Sequence, residues 1–147
     1  MQTQKYIVPI STGTTKEGIK NDCVIRAIVN ATGKPYEEVQ QKAFECTEYK
    51  IGRGLKSQDV LMMFHLFGFG FLGSVGTTKA ALFFKKHSQG FPELQGMTVE
   101  KFLKLYPKGT FAATISGHVF CVKDAEIIDI CNINKSLRVT AIWKLKE

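Results

Sequence analysis

Three consecutive segments decide how this chain is read: Thr110-Phe111-Ala112-Ala113-Thr114-Ile115-Ser116, His118-Val119-Phe120-Cys121-Val122-Lys123 and Ile127-Ile128-Asp129-Ile130-Cys131. Each is short, apolar and rich in β-branched or aromatic residues, which is the signature of a strand. In the first, Phe111, Ala113 and Ile115 share a face. The second and third flank Asp124-Ala125, a turn-like pair. Closing a two-residue hairpin there sets Asp129 opposite Phe120 and Cys131 opposite His118. His118 and Asp129 are then diagonal neighbours on one face, roughly 7 Å apart at the backbone and within side-chain reach. Asp-Ala is a poor type I′ turn, because alanine resists positive φ. A three-residue loop would instead put Asn132 opposite His118, and Asn132 is the alternative partner.

A fourth strand is expected over Leu137 to Leu145, with Leu137, Val139, Ala141, Trp143 and Leu145 on one face. Upstream the pattern is helical. Val24, Ala27, Ile28 and Ala31 recur at helical spacing over about Asp22 to Thr32, with Asn21 or Asp22 as cap and Gly33 as the left-handed stop. Pro35 opens a second helix, with Glu37 and Glu38 in its first turn and a stripe of Val39, Ala43 and Cys46 or Thr47. A third helix is expected from Ser57 to Gly68. A weak one covers Thr77 to Lys86, and a short one, capped by Thr98 and stopped by Pro107, covers Thr98 to Tyr106. Tyr6 to Ile10 reads as a short strand or extended arm, and Phe69 to Gly76 has no assignable period. Helical patterns fill the first two thirds and strands the last third. The expectation is a single α+β domain over 1–147, N-terminal helices packed on a C-terminal antiparallel sheet.

The composition, 44% hydrophobic and 22% charged over 147 residues, excludes general disorder. The longest apolar region, Val60 to Val75, is interrupted by His65, Gly68, Gly70 and Gly73 and is no bilayer span. Met1-Gln2-Thr3-Gln4-Lys5 leads into no apolar segment of signal-peptide type, so a cytoplasmic location is expected. The net charge of +7 is spread over the chain, with only Lys85-Lys86 adjacent. A solvated basic surface is favoured over a nucleic-acid face, and an acidic protein is the partner such a surface would suit.

The four cysteines, Cys23, Cys46, Cys121 and Cys131, lack C-x-x-C spacing and read as free thiols. Cys46, Cys121 and Cys131 lie in apolar-periodic stretches and read as core residues. Cys23 opens a helix, where unpaired amides and the helix dipole favour a thiolate. The same amides can donate to the oxyanion formed when a carbonyl is attacked. An imidazole beside a carboxylate, as His118 and Asp129 would be, is the arrangement of a general base. His65 reads as a packing or helix-surface residue, and His87, after Lys85-Lys86, as solvent-exposed. The Phe64, Phe67, Phe69 and Phe71 run reads as core. Gly52-Arg53-Gly54 and the glycines of Phe69 to Gly76 lack the spacing of a phosphate loop.

Taken together, Asn21-Asp22-Cys23-Val24-Ile25-Arg26-Ala27-Ile28, Gly117-His118-Val119-Phe120-Cys121-Val122 and the downstream Asp129 resemble the papain-like cysteine peptidase superfamily, most of all its short phage and bacterial members. The chain order of Cys, His and Asp or Asn matches, over roughly Lys20 to Asn132. The resemblance implies a papain-like fold with Cys23 as nucleophile, His118 as general base and then acid, and Asp129 as its orienter. It implies a peptide or protein substrate attacked through a thioester, without metal or organic cofactor, in a host cytoplasm if the chain is of phage origin. The family's glutamine upstream of the nucleophile has no counterpart, since no glutamine lies between Gln4 and Gln40. Asn21 is the candidate oxyanion donor in its place, or a helix cap. Water as acceptor would make the chain a hydrolase and an amine would make it an acyltransferase. A second reading is a non-catalytic protein on the same fold that binds a host protein or nucleic acid through its basic surface.

Overall fold

The structure, a computed structural model of the chain, describes residues 4–5, 22–50, 55–74, 96–115, 118–129 and 133–146. Four helices and six strands lie within them. Helix α1 is Cys23–Thr32, α2 is Tyr36–Cys46, α3 is Ser57–Leu66 and α4 is Val99–Leu105. The strands are β1 Gln4–Lys5, β2 Phe69–Ser74, β3 Thr110–Ile115, β4 His118–Lys123, β5 Glu126–Ile128 and β6 Ala141–Leu145. They form one sheet in the order β1-β5-β4-β3-β6-β2. The five strands β2 to β6 pair antiparallel throughout, and β1 adds two residues parallel to β5 at the edge. The class is α+β.

Helix α1 is buried around most of its circumference: Val24, Ile25, Ala27, Ile28, Val29 and Ala31 all lie in the core. A helix with so little exposed face is the central packing element of its layer. Gly33 ends it at φ 77°, its amide donating to the Val29 carbonyl at 2.9 Å. Pro35 then stands at the N-cap of α2, which has Glu37 and Glu38 in its first turn. The buried stripe of α2 is Tyr36, Val39 and Ala43. Cys46, expected in that stripe, is exposed. The helix ends at Cys46, and Thr47 turns away in extended conformation with its hydroxyl on the Ala43 carbonyl, so the three residues after Ala43 bury no side chain.

The sheet separates two apolar layers. On one face, α1, α2 and α3 cover Phe69, Phe71, Ala112, Val119, Cys121, Ile128, Ala141 and Trp143. On the other, α4 covers Phe111, Ala113, Ile115, Phe120, Val122, Ile127 and Ile142. Thr98 caps α4 by accepting from the Lys101 amide, and Phe102 meets Phe111 edge to face at 5.2 Å.

Two expectations about the sheet need correction. It is not confined to the last third of the chain, because the unassigned Phe69–Ser74 segment forms β2 and pairs with β6. Nor does a strand run from Leu137. Residues 135–136 form a turn, Leu137 is exposed, and Val139 joins the α4 layer, while Ala141 and Trp143 face the other way. The backbone before Ala141 is drawn instead to α4's start, where the Val139 amide donates to the Met97 carbonyl and the Val99 amide to the Leu137 carbonyl. The expected elements at Tyr6 to Ile10 and Thr77 to Lys86, and the Gly52-Arg53-Gly54 loop, lie outside the described residues.

Candidate functional site

The β4–β5 hairpin closes in two residues. Lys123 pairs with Glu126, Val122 with Ile127 and Cys121 with Ile128, which is the register that brings Asp129 to Phe120 and onto His118's face. Asp124 and Ala125 both take positive φ, 48° and 65°, as a type I′ turn requires. An alanine is held there because the turn is clamped from outside. The Asp124 amide donates to the Gly109 carbonyl, and the Gly109 amide donates to Asp124 Oδ1, each at 2.9 Å.

This register delivers the central contact of the site. His118 Nε2 lies 2.6 Å from Asp129 Oδ2. The Asp129 side chain is 3% exposed and that of His118 is 23% exposed, so the carboxylate is inside and the imidazole at the rim. Phe120, two residues along the strand, stacks on the imidazole with centroids 6.2 Å apart and planes inclined by 19°. The ring is therefore held at one nitrogen and on one face.

Cys23 approaches from the other side of the sheet. Val119 and Cys121 point into the α1 layer, and the alternation sends His118 and Phe120 away from it. His118, however, is the first residue of β4, at the sheet's end. There its ring comes near the first residue of α1, and Cys23 is the second influence, after Asp129, that favours the protonated ring. Nε2 is engaged by Asp129, and Nδ1 is the ring's other nitrogen. The hydrogen bond to Asp129, and then the proximity of Cys23, raise the His118 pKa to about 9 against the opposing effect of burial. Cys23 itself is half-buried.

Asp22 occupies the N-cap position but makes no side-chain cap, contrary to one of the two expectations for this helix start. Its carboxylate turns inward, accepting from the Tyr36 hydroxyl at 2.9 Å and pairing with Arg26 Nε at 3.4 Å. The first-turn amides of α1 are left uncovered by it, and no acidic side chain stands in that turn. Asn21, the candidate oxyanion donor, and Asn132 and Cys131 lie outside the described residues, as does His87. His65 is exposed on α3. Cys121 is fully buried, and burial pushes its thiol up to about 12. Among the described residues no three His, Cys, Asp or Glu side chains gather as a metal site would need, and no helix is long and apolar enough to cross a membrane.

Sequence reasoning missed Arg26 and Tyr36. The Asp22–Arg26 spacing of i, i+4 was a readable signal for the first. Nothing local announces the second, fourteen residues from Asp22. No family model matches this chain, and no match was found among curated proteins or solved structures.

Proposed function

We propose that this chain is a cysteine-dependent hydrolase of papain-like type, acting on a peptide or isopeptide bond. The observation that carries the reading is the His118 imidazole bound to the Asp129 carboxylate at 2.6 Å, with Cys23, the first residue of α1, close enough to favour the protonated ring. In the reaction so read, the Cys23 sulfur attacks the substrate carbonyl carbon. The oxyanion is met by first-turn amides of α1. The tetrahedral adduct collapses, and the leaving amine takes the proton from His118 Nδ1, leaving a thioester on Cys23. Water then attacks the thioester and gives its proton to His118. The acid departs and the thiolate–imidazolium pair is restored. Asp129 takes no proton in this cycle. It holds Nε2–H, and with it the orientation of the ring.

Two cysteines make the test sharp, because exposure alone favours the wrong one. Cys46 is exposed and Cys23 only half so. Iodoacetamide followed by mass spectrometry is expected to label Cys23 faster than Cys46, and a peptide vinyl sulfone to add to Cys23 alone. Both preferences disappear in His118→Ala, and Cys23→Ala keeps the fold without the adduct. Labelling that follows exposure, with no vinyl sulfone adduct at Cys23, would reject the hydrolase and leave the basic-surface binding protein.

A further inference from the structure

We propose that Tyr36 and Arg26, acting through Asp22, are positioning residues that set the Cys23 sulfur against His118. The proposal rests on the reading of Cys23 as nucleophile and names what holds it in place.

Asp22 is the residue immediately before Cys23, and it is 2% exposed. A carboxylate is costly to bury unless it is paired and hydrogen-bonded, so its two partners are a necessary part of this arrangement. Arg26 holds residue 22 twice. Its amide donates to the Asp22 carbonyl at 3.0 Å, the first hydrogen bond of α1, and its Nε pairs with Oδ1. At 3.4 Å the latter contact is an ion pair without the alignment of a hydrogen bond. The Tyr36 hydroxyl donates to the other oxygen, Oδ2. Burial and then the Asp22 charge hold that phenol far above its ordinary pKa, so it remains a donor wherever the protein is folded.

This geometry has two consequences for Cys23. Tyr36 is the first residue of α2, so the contact ties the start of α2 to the start of α1 and fixes the end of the helix from which the sulfur projects. Asp22 itself has φ −105° and ψ 22°, not the extended backbone of an ordinary N-cap. Its carboxylate is drawn inward, away from the first-turn amides that a thiolate or an oxyanion would use. Arg26 neutralises the charge that would otherwise oppose an anionic sulfur one residue away. A serine, threonine or asparagine cap would have covered those amides instead.

The test uses the full chain, iodoacetamide as probe and Cys46 as the internal reference. Tyr36→Phe removes only the donor. It is expected to slow Cys23 relative to Cys46 by about tenfold or more, the scale of a small misplacement of reacting groups. As the sulfur withdraws, the His118 ring titration should move down from about 9, because Cys23 is one of the two partners that raise it. A folded Tyr36→Phe protein in which either readout matches wild type overturns the proposal. If Tyr36→Phe does not fold, Asp22→Asn is read in the same way. Failure of both variants to fold would make the network structural rather than positional, and overturns the proposal too. His118→Ala separates the two levels. If it leaves the Cys23 rate unchanged, the nucleophile reading itself fails. If it slows Cys23 while Tyr36→Phe does not, only the positioning role fails.

Discussion

Asp129 Oδ2 and His118 Nε2 stand 2.6 Å apart across the β4–β5 hairpin, one side chain enclosed and the other half-buried. The carboxylate is held where solvent cannot screen it, and the ring is stabilised as an imidazolium to about 9.

Stability should therefore depend on pH in a definite direction. The folded-state pKa of His118 lies above the unfolded value of 6.5, so the folded state holds the proton more tightly. The stabilisation is complete below about 6.5 and is lost as pH rises through about 9. Urea unfolding midpoints measured across this window should fall with rising pH. Asp129→Ala, which removes the hydrogen bond that is the first cause of the shift, should flatten that slope. A slope that is the same in the two proteins would mean that the ring is not stabilised by this carboxylate.

At the hairpin turn, Ala125 sits at φ 65°, in the left-handed region that a side chain disfavours. Ala125→Gly is expected to stabilise the protein by about 1 kcal/mol by relieving that conformation. The gain is reduced by the packing Ala125 makes against the α4 layer. The comparison of unfolding midpoints checks it, and a lower midpoint would show that packing at this site outweighs backbone strain.

Trp143 is 1% exposed and lies between Phe64 and Phe71, with ring centroids at 4.7 and 5.1 Å. It joins α3 to both β2 and β6. Trp143→Ala should cost about 3–5 kcal/mol, the range for truncating a buried aromatic. Calorimetry or urea unfolding gives the value, and a loss below about 1 kcal/mol would place the residue outside the core, where surface substitutions fall.

Several features were legible in the residues alone because they are set by short-range rules. Cys23 at the start of α1, Gly33 at its end and Thr98 capping α4 follow from the backbone groups that a helix leaves unpaired. The placement of Asp129 with His118 follows from strand alternation and the two-residue separation at Asp124-Ala125. Other features depend on partners distant in the chain. Phe69–Ser74 has no period of its own and becomes β2 only through pairing with β6, some seventy residues on. Asp22 has the chemistry of a cap, yet its carboxylate turns to Tyr36, because α2 folds back to offer a buried hydroxyl. Cys46 sits at a stripe position but is exposed, since its helix ends there. The proximity of Cys23 to His118 runs against strand parity, which directs His118 to the α4 side. Cys23 and His118 are each the first residue of their element, ninety-five residues apart, and only the packing of α1 on the sheet brings them near each other.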